Sequence, residues 1–285
     1  MPGIKEQLGH ALFLRFAGPD GPKHRERIHG RPGPRWFDPA SPIGRVHGDA
    51  AMFVGGIRAV LLQTLHPSAM TAVAEHSGYR GDMWGRLART SRFIAVTTFG
   101  TASDAQQAVD MVRTIHERVT GVTDDGTPYA ASDPHLLAWV HLAEVHSFLL
   151  AHQTYGREPL DQAGRDEYVA QTAEVARRLG VIDPPTTEAG LDEALAAFRP
   201  ELRVTAAARE AVSYLLWRPP LPVPVRPAYG VLMAVAIGLM PAWSRRPLRL
   251  PWVPVTGPVV TKALGTAATA TIRWALAPPP VETSA

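Results

Sequence analysis

Histidine is the residue type in this chain with the clearest capacity for chemistry. The sequence has 11 His and no Cys. Without cysteine there is no disulfide, thiolate nucleophile, iron–sulfur cluster or thiolate-ligated haem, so a metal would need imidazole or carboxylate ligands. The di-iron spacing Glu-x-x-His occurs once, at Glu26 and His29, in a segment rich in Pro and Gly, and the zinc-protease motif His-Glu-x-x-His does not occur. A single imidazole bound to haem iron is the metal chemistry that remains.

The best placed imidazole is His116, which falls within the apolar stripe of a predicted helix. A capping box of Ser103 and Gln106 predicts the start of this helix. Val112 and Val119 lie on the same helical face as His116. An apolar wall favours the neutral imidazole that binds iron, so His116 is the candidate axial ligand. A histidine in such a stripe is more often an ordinary core residue, but several imidazoles on neighbouring helices favour a metal or haem site.

Three other histidines mark the ends or the interior of predicted helices. His66 and His76 end two successive predicted helices. His141 lies inside a later helix, whose start is indicated by Asp133 followed by a proline.

A polar cluster is predicted on one helical face at Arg86, Arg89 and Thr90, because residues three and four apart are neighbours on a helix. Two cations on one face repel each other, so an anionic group or a ligand is expected opposite them. A solvated face is the more ordinary interpretation. A guanidinium stays charged at any working pH and can stabilise negative charge that develops on dioxygen or peroxide. These three residues are therefore the candidate catalytic group, in which Arg89, helped by Arg86 and Thr90, is predicted to stabilise that charge.

Helical periodicity dominates the middle of the chain, and strand-type alternation is nearly absent. The pattern predicts an all-α bundle. Seven of the 27 Pro lie in residues 1–48, seven in 49–215 and 13 in 216–285. Because Pro breaks helices, we expect a largely irregular Pro/Gly-rich extension over 1–48, a helical core over 49–217 and a Pro-rich region over 218–285 whose helices pack on the core. Helices of the core are predicted over residues 51–65, 67–75, 86–98, 103–120, 133–155, 165–179, 191–198 and 205–217.

The composition describes a folded chain without a strong electrostatic field. Of its 285 residues 46% are hydrophobic and 19% charged, which argues against disorder and against a coiled coil. A net charge of +3 provides little electrostatic attraction for nucleic acid. No secretory signal is evident, and the apolar run Tyr229–Met240 is shorter than the roughly 18 residues that span a bilayer. We expect a cytoplasmic protein with no transmembrane segment, in which this run is a helix on the core or on a partner or membrane surface.

Seven short motifs follow one another in the middle of the chain. They are Gly56-Ile57-Arg58, Leu65-His66-Pro67, Glu75-His76-Ser77, Arg86-Leu87-Ala88-Arg89-Thr90, Ile115-His116-Glu117-Arg118-Val119-Thr120-Gly121, Tyr129-Ala130-Ala131-Ser132-Asp133-Pro134 and Trp139-Val140-His141. In this order, from about Gly44 to Gly180, the motifs resemble the DUF2236 family. This is the MpaB-like oxygenase group, which includes the latex-clearing rubber oxygenases.

The resemblance implies a globin-like all-α fold, haem b as the cofactor and O2-dependent oxidation of an apolar substrate. In the rubber oxygenases a helix on the distal side of haem carries Arg-x-x-Lys-Thr, which reads Arg86, Arg89 and Thr90 here, with Arg in place of Lys. A histidine about one helix later binds the iron on the proximal side, and His116 is at the matching position.

These observations together predict a haem-b-dependent oxidoreductase of the oxygenase class that acts on a small hydrophobic substrate with O2 or peroxide. Second candidates for propionate contacts, pocket lining or an alternative ligand are His66, His76 and His141. Two alternatives stay open: a non-catalytic haem-binding protein, such as a gas sensor or carrier, and a helical scaffold without haem. The electron donor and the oligomeric state, with a homodimer as one option, are open as well.

Overall fold

The computed structural model describes residues 4–76, 82–251 and 258–277, and 69% of the structure is helical. The prediction of an all-α protein is confirmed. The helices are α1 (Ile4–Ala17), α2 (Gly21–Gly30), α3 (Pro42–His47), α4 (Ala51–Gln63), α5 (Pro67–His76), α6 (Met83–Phe99), α7 (Ala102–His116), α8 (Pro134–Tyr155), α9 (Gln162–Leu179), α10 (Glu188–Ala197), α11 (Ala206–Trp217), α12 (Arg226–Gly238), α13 (Ala242–Arg245) and α14 (Pro258–Leu276). One antiparallel hairpin joins α7 to α8, with strands β1 (Thr120–Val122) and β2 (Pro128–Ala130).

The centre of the molecule is the packing of α4 against α8. The two backbones approach closely because Gly55 carries no side chain. A Cβ at Gly55 would lie 2.9 Å from the Phe148 ring and 3.1 Å from the Ser147 carbonyl oxygen. At the start of α8, the predicted N-cap Asp133 accepts a hydrogen bond of 2.7 Å from the His135 backbone N–H. A central helix that is both capped and close-packed gives its inward side chains fixed positions.

Helices α6 and α7 form a second pair, joined by a turn at Gly100. The start of α7 differs from the prediction, because Thr101 and not Ser103 is the N-cap residue. The Thr101 hydroxyl accepts from the Asp104 backbone N–H at 3.2 Å. The buried Asp104 carboxylate is in turn paired with the guanidinium groups of Arg27 and Arg31, at 2.7 Å each. These ion pairs hold the first turn of α7 against the N-terminal helices.

The first 48 residues contain far more helix than the largely irregular extension predicted for them, whereas helices were expected in the C-terminal region. Helices α1, α2 and α3 lie in the first 48 residues, and α12 and α14 lie near the other end. Proline is tolerated in the first turn of a helix, where its missing N–H has no intrahelical partner. In the end regions Pro22, Pro42 and Pro227 have this position.

The apolar run Tyr229–Met240 lies largely within α12, which packs on α4 and α14. Met233 and Val235 of α12 are buried, so the prediction of a helix packed on the core is confirmed. Helix α14 in turn packs on α1, α8 and α12. Within the described ranges, no helix combines the length and the apolar character that a bilayer crossing requires.

Candidate active site

Arg86 and Arg89 of α6 have different environments, although they are one turn apart. The Arg86 side chain keeps some accessible surface although protein surrounds most of it, and burial, followed by the charge of Arg89, lowers its pKa. In the part of the chain that the structure describes, no hydrogen bond or ion pair reaches the Arg86 guanidinium. Arg89 is 58% exposed and pairs with Asp82, the N-cap of α6, at 3.0 Å. Thr90 is exposed.

Arg58 is a buried arginine with a structural role in this fold, and it serves as a comparison for Arg86. It is 1% exposed, and burial lowers its pKa to about 10. Its Nε donates to the Leu239 carbonyl oxygen at 2.9 Å, and its Nη1 donates to the Ser147 hydroxyl at 2.6 Å. Arg86 has no such acceptors among the described residues. A largely buried charge without a partner destabilises the folded protein. An anionic ligand beside Arg86 would therefore stabilise it.

His116 is the last residue of α7, and its side chain is half-buried. Its Nδ1 is buried without a hydrogen-bond partner among the described residues, and burial lowers the pKa of the imidazole. Because α6 and α7 pack together and join at Gly100, the first part of α6 and the last part of α7 lie at the same end of the pair. Arg86 and His116 belong to those two parts.

Helix α8 contributes two enclosed ionisable groups that are three residues apart. Burial lowers the pKa of His141 to about 4 and raises the pKa of Glu144 to about 7. The His141 Nε2 is buried and lacks a partner within the described ranges, as does the Glu144 carboxyl group. Both side chains keep some accessible surface although protein surrounds them densely.

A hydrogen-bonded chain of buried groups lies beside Glu144. His47 of α3 is within 2.8 Å of the Thr98 hydroxyl through Nδ1 and within 3.2 Å of the Tyr168 hydroxyl through Nε2. Burial raises the pKa of Tyr168 well above its ordinary value, and the nearby Glu144 raises it further. Burial and then the charge of His152 lower the pKa of His47 to about 3, so this imidazole is neutral.

The sequence analysis did not assign a role to Glu144 or to His47. The available signal for Glu144 was a single carboxylate within an apolar helix, because buried acids are rare unless they are paired or functional. His47 had no comparable signal. Its partners, Thr98 and Tyr168, are 51 and 121 residues away in the chain.

His66 and His76 belong to two other clusters. His66 follows α4 and packs on Trp139 and Phe198, with its Nε2 3.7 Å from the Glu201 carboxylate. His76 ends α5, with its Nε2 3.8 Å from the carboxylate of its neighbour Glu75. Among the contacts of the described residues, none joins His66 or His76 to Arg86 or His116.

Two further observations bear on cofactor binding. Within the described residues, no group of three or more His, Asp and Glu side chains is arranged to hold a metal ion. An open cleft of about 640 Å³ lies between α1 and α2, lined by His10, Phe13, Pro22, Arg25, Glu26 and His29. It contains none of the predicted site residues, so we do not assign the site to it.

Comparison with known proteins yields one match. The family model described as "ER-bound oxygenase mpaB/B'/Rubber oxygenase, catalytic domain" matches residues 44–274. This range contains α4 to α14 apart from the last residues of α14, and with them every residue of the candidate site. No curated protein and no solved structure matches the chain.

Proposed function

Because the chain belongs to the family of mpaB and rubber oxygenase catalytic domains, we propose that it is a haem-b-dependent oxidoreductase of the oxygenase class. The proposed substrate is a small hydrophobic molecule, and the oxidant is O2 or peroxide. The proposal rests on one observation. Arg86 is largely surrounded by protein and has no partner among the described residues, and it lies in the same part of the molecule as His116, whose Nδ1 has no hydrogen-bond partner there.

The residues present fit a haem. A haem needs an imidazole nitrogen without a competing hydrogen bond, a neutral imidazole and cations for its carboxylates. His116 and His141 each have a buried ring nitrogen without a partner in the described chain, and burial lowers the pKa of both. We propose His116 as the iron ligand and His141 as the alternative. When bound, haem supplies the redox-active iron at which the oxidant reacts.

Arg86 supplies positive charge to this site. Because protein surrounds most of this side chain, water screens the guanidinium less than it screens an exposed one, and the group interacts more strongly with negative charge that develops as the oxidant is reduced. Arg89 and Thr90, the other two residues of the predicted cluster, lie at the surface in this structure. We therefore propose Arg86, and not Arg89, as the main catalytic residue of the three.

The first experiment identifies the haem and its ligand. Protein purified after growth with a haem precursor is expected to show a Soret band. His116→Ala removes or shifts this band because the axial ligand is lost. The matched control is His135→Ala, since His135 is exposed at the start of α8 and bonds to Glu201 at 2.9 Å. This control variant is expected to keep the wild-type spectrum.

A wild-type spectrum for His116→Ala moves the ligand assignment to His141 first and His66 second. A chain without any Soret band is a scaffold without haem.

The second experiment measures turnover of the haem-loaded protein as O2 or peroxide consumption. Arg86→Leu is expected to keep haem and to lose about 100- to 1000-fold in rate, the usual cost of one enclosed electrostatic donor. Arg89→Leu, at an exposed ion pair, is expected to change the rate less than about twofold. Loss of haem in Arg86→Leu makes Arg86 a propionate anchor. Equal loss of rate in both variants contradicts the assignment to Arg86, and a haem-bound wild type without turnover is a sensor or carrier.

A further inference from the structure

A long segment near the end of the sequence is free of acidic residues. Residues 211–281 contain no Asp and no Glu, but they contain seven Arg and Lys. The remainder of the chain holds 22 basic and 26 acidic side chains. The modest net charge of the whole protein thus divides into a balance of +7 over this segment and −4 elsewhere.

Three parts of this acid-free segment meet at one place on the surface. A Cβ at Gly238, the last residue of α12, would lie 2.6 Å from the Thr261 side chain at the start of α14. The Gly238 carbonyl oxygen accepts a hydrogen bond of 2.8 Å from Nη2 of Arg245, the last residue of α13. The end of α12, the end of α13 and the start of α14 are therefore neighbours.

The surface at this place combines apolar and cationic side chains. Val259, Val260 and Leu264 of α14 are 80%, 43% and 44% exposed. Lys262, within the same turns of α14, and Arg246, directly after α13, are exposed as well. Neither cation has a partner among the described residues. We call these five residues the junction face.

We propose that the junction face docks the protein onto a membrane surface rich in anionic lipids. Apolar side chains gain free energy when they enter the boundary between headgroups and acyl chains, and Lys and Arg beside them bind lipid phosphates. The absence of acidic residues in the segment removes repulsion from such a surface. The protein lies on the bilayer, because no described helix is able to cross it.

Two other occupants fit the face less well. A second copy of the chain, related by a two-fold axis, would bring two such acid-free cationic surfaces together and cause like-charge repulsion. Nucleic acid would attract the cations but would leave the exposed valines and leucine without apolar contacts. Docking on anionic lipid satisfies both kinds of side chain, and it does not depend on the proposed oxygenase chemistry.

The test is flotation of the full chain with vesicles of phosphatidylcholine alone or with phosphatidylserine added. The wild type is expected to float with the anionic vesicles, less so at high salt, and not with the neutral ones. Arg246→Glu combined with Lys262→Glu should weaken binding at least about tenfold, because each basic residue near an anionic surface contributes several-fold in affinity. Val259→Ser combined with Leu264→Ser should also weaken binding.

Each pair of substitutions has a matched control outside the acid-free segment. Lys23→Glu with Arg118→Glu makes the same change of charge at two exposed positions, and Met111→Ser with Ile182→Ser removes two apolar side chains that are 60% and 70% exposed. Both controls are expected to float like the wild type. The proposal is overturned if the wild type does not float, or if control and junction variants float alike. It is also overturned if size-exclusion chromatography shows a dimer that only the junction variants dissociate, because the face is then an interface between two copies.

Discussion

At the scale of single residues, Glu144 is the group whose protonation state depends most on the fold. Protein surrounds most of its side chain in α8, and this burial raises its pKa from 4.5 to about 7. Between these two values the folded protein binds a proton that the unfolded chain has released. The free energy of unfolding therefore falls as the pH rises from about 4.5 to about 7, and it stays low above that range.

Glu144→Gln is expected to remove this pH dependence, since the amide is neutral at every pH. A shift of this size corresponds to about 3 kcal/mol, so the variant should gain up to that amount over the wild type at pH 8 and almost none at pH 4.5. Urea unfolding at the two pH values measures the difference. Glu193→Gln on the exposed side of α10 is the control and should follow the wild type. If the curves for Glu144→Gln and wild type stay parallel, the carboxyl group has a partner or contacts solvent.

Helical spacing predicted which side of α6 carries Arg86 and Arg89, but it could not predict where each side chain goes. Asp82 caps α6 through a hydrogen bond of 2.9 Å from the Gly85 backbone N–H, and the same carboxylate binds Arg89. This local ion pair keeps Arg89 at the surface. Periodicity places residues on a face, whereas the direction of a long side chain depends on partners such as Asp82 that the spacing does not reveal.

At the scale of elements, the contact between α4 and α8 depends on one glycine of a pair. A methyl group at Gly55 would collide with the Phe148 side chain and backbone at 2.9 and 3.1 Å, but the same group at Gly56 would meet nothing within 4 Å. We expect Gly55→Ala to lower the free energy of unfolding by about 1–3 kcal/mol, because the helices must move apart.

Gly56→Ala is the matched control for this prediction. Alanine has the higher helix propensity, so the substitution should be neutral or should stabilise the protein by up to about 1 kcal/mol. Chemical unfolding measures both variants, and equal effects would falsify the close approach of α4 to α8 at Gly55. Helical spacing alone could not predict which glycine of the pair faces the neighbouring helix.

Helix starts with side-chain caps were predictable because their signal is local. Asp133 caps α8 as expected, Thr205 at the start of the predicted helix 205–217 caps α11, and Gly180 ends α9 in the left-handed conformation with φ of 112°. The helices of the N-terminal region were not predicted. Their stability comes from tertiary contacts, such as the ion pairs of Arg27 and Arg31 with Asp104, which link positions more than 70 residues apart.

At the scale of the whole molecule, α14 is tied to the core by one arginine. The Arg273 guanidinium donates to both carboxylate oxygens of Asp49, at 2.8 and 2.9 Å, and to the Tyr155 carbonyl oxygen. Asp49 lies between α3 and α4, and Tyr155 ends α8. Three distant parts of the chain therefore meet at Arg273, so α14 should unfold together with the core and not before it.

Arg273→Met tests this contact between α14 and the core. The substitution leaves the 9% exposed Asp49 carboxylate without its charged partner, so we expect a loss of about 3–5 kcal/mol in the free energy of unfolding. Arg165→Met is the control, because Arg165 is also 24% exposed but pairs with the more accessible Glu188, and its loss should cost about 1 kcal/mol.

Burial raises the pKa of Asp49, but the hydrogen bonds from Arg273 and from the Ala51 N–H outweigh burial and hold it below its ordinary value of 3.8. The stabilisation is thus present above that value and is lost as the pH falls through the lower pKa of the folded state. Urea unfolding at pH 7 and at pH 3 should show the gap between wild type and Arg273→Met shrinking in acid. An equal loss for both arginine variants at pH 7, or a separate early transition in the wild type, would show that α14 is not held by this contact.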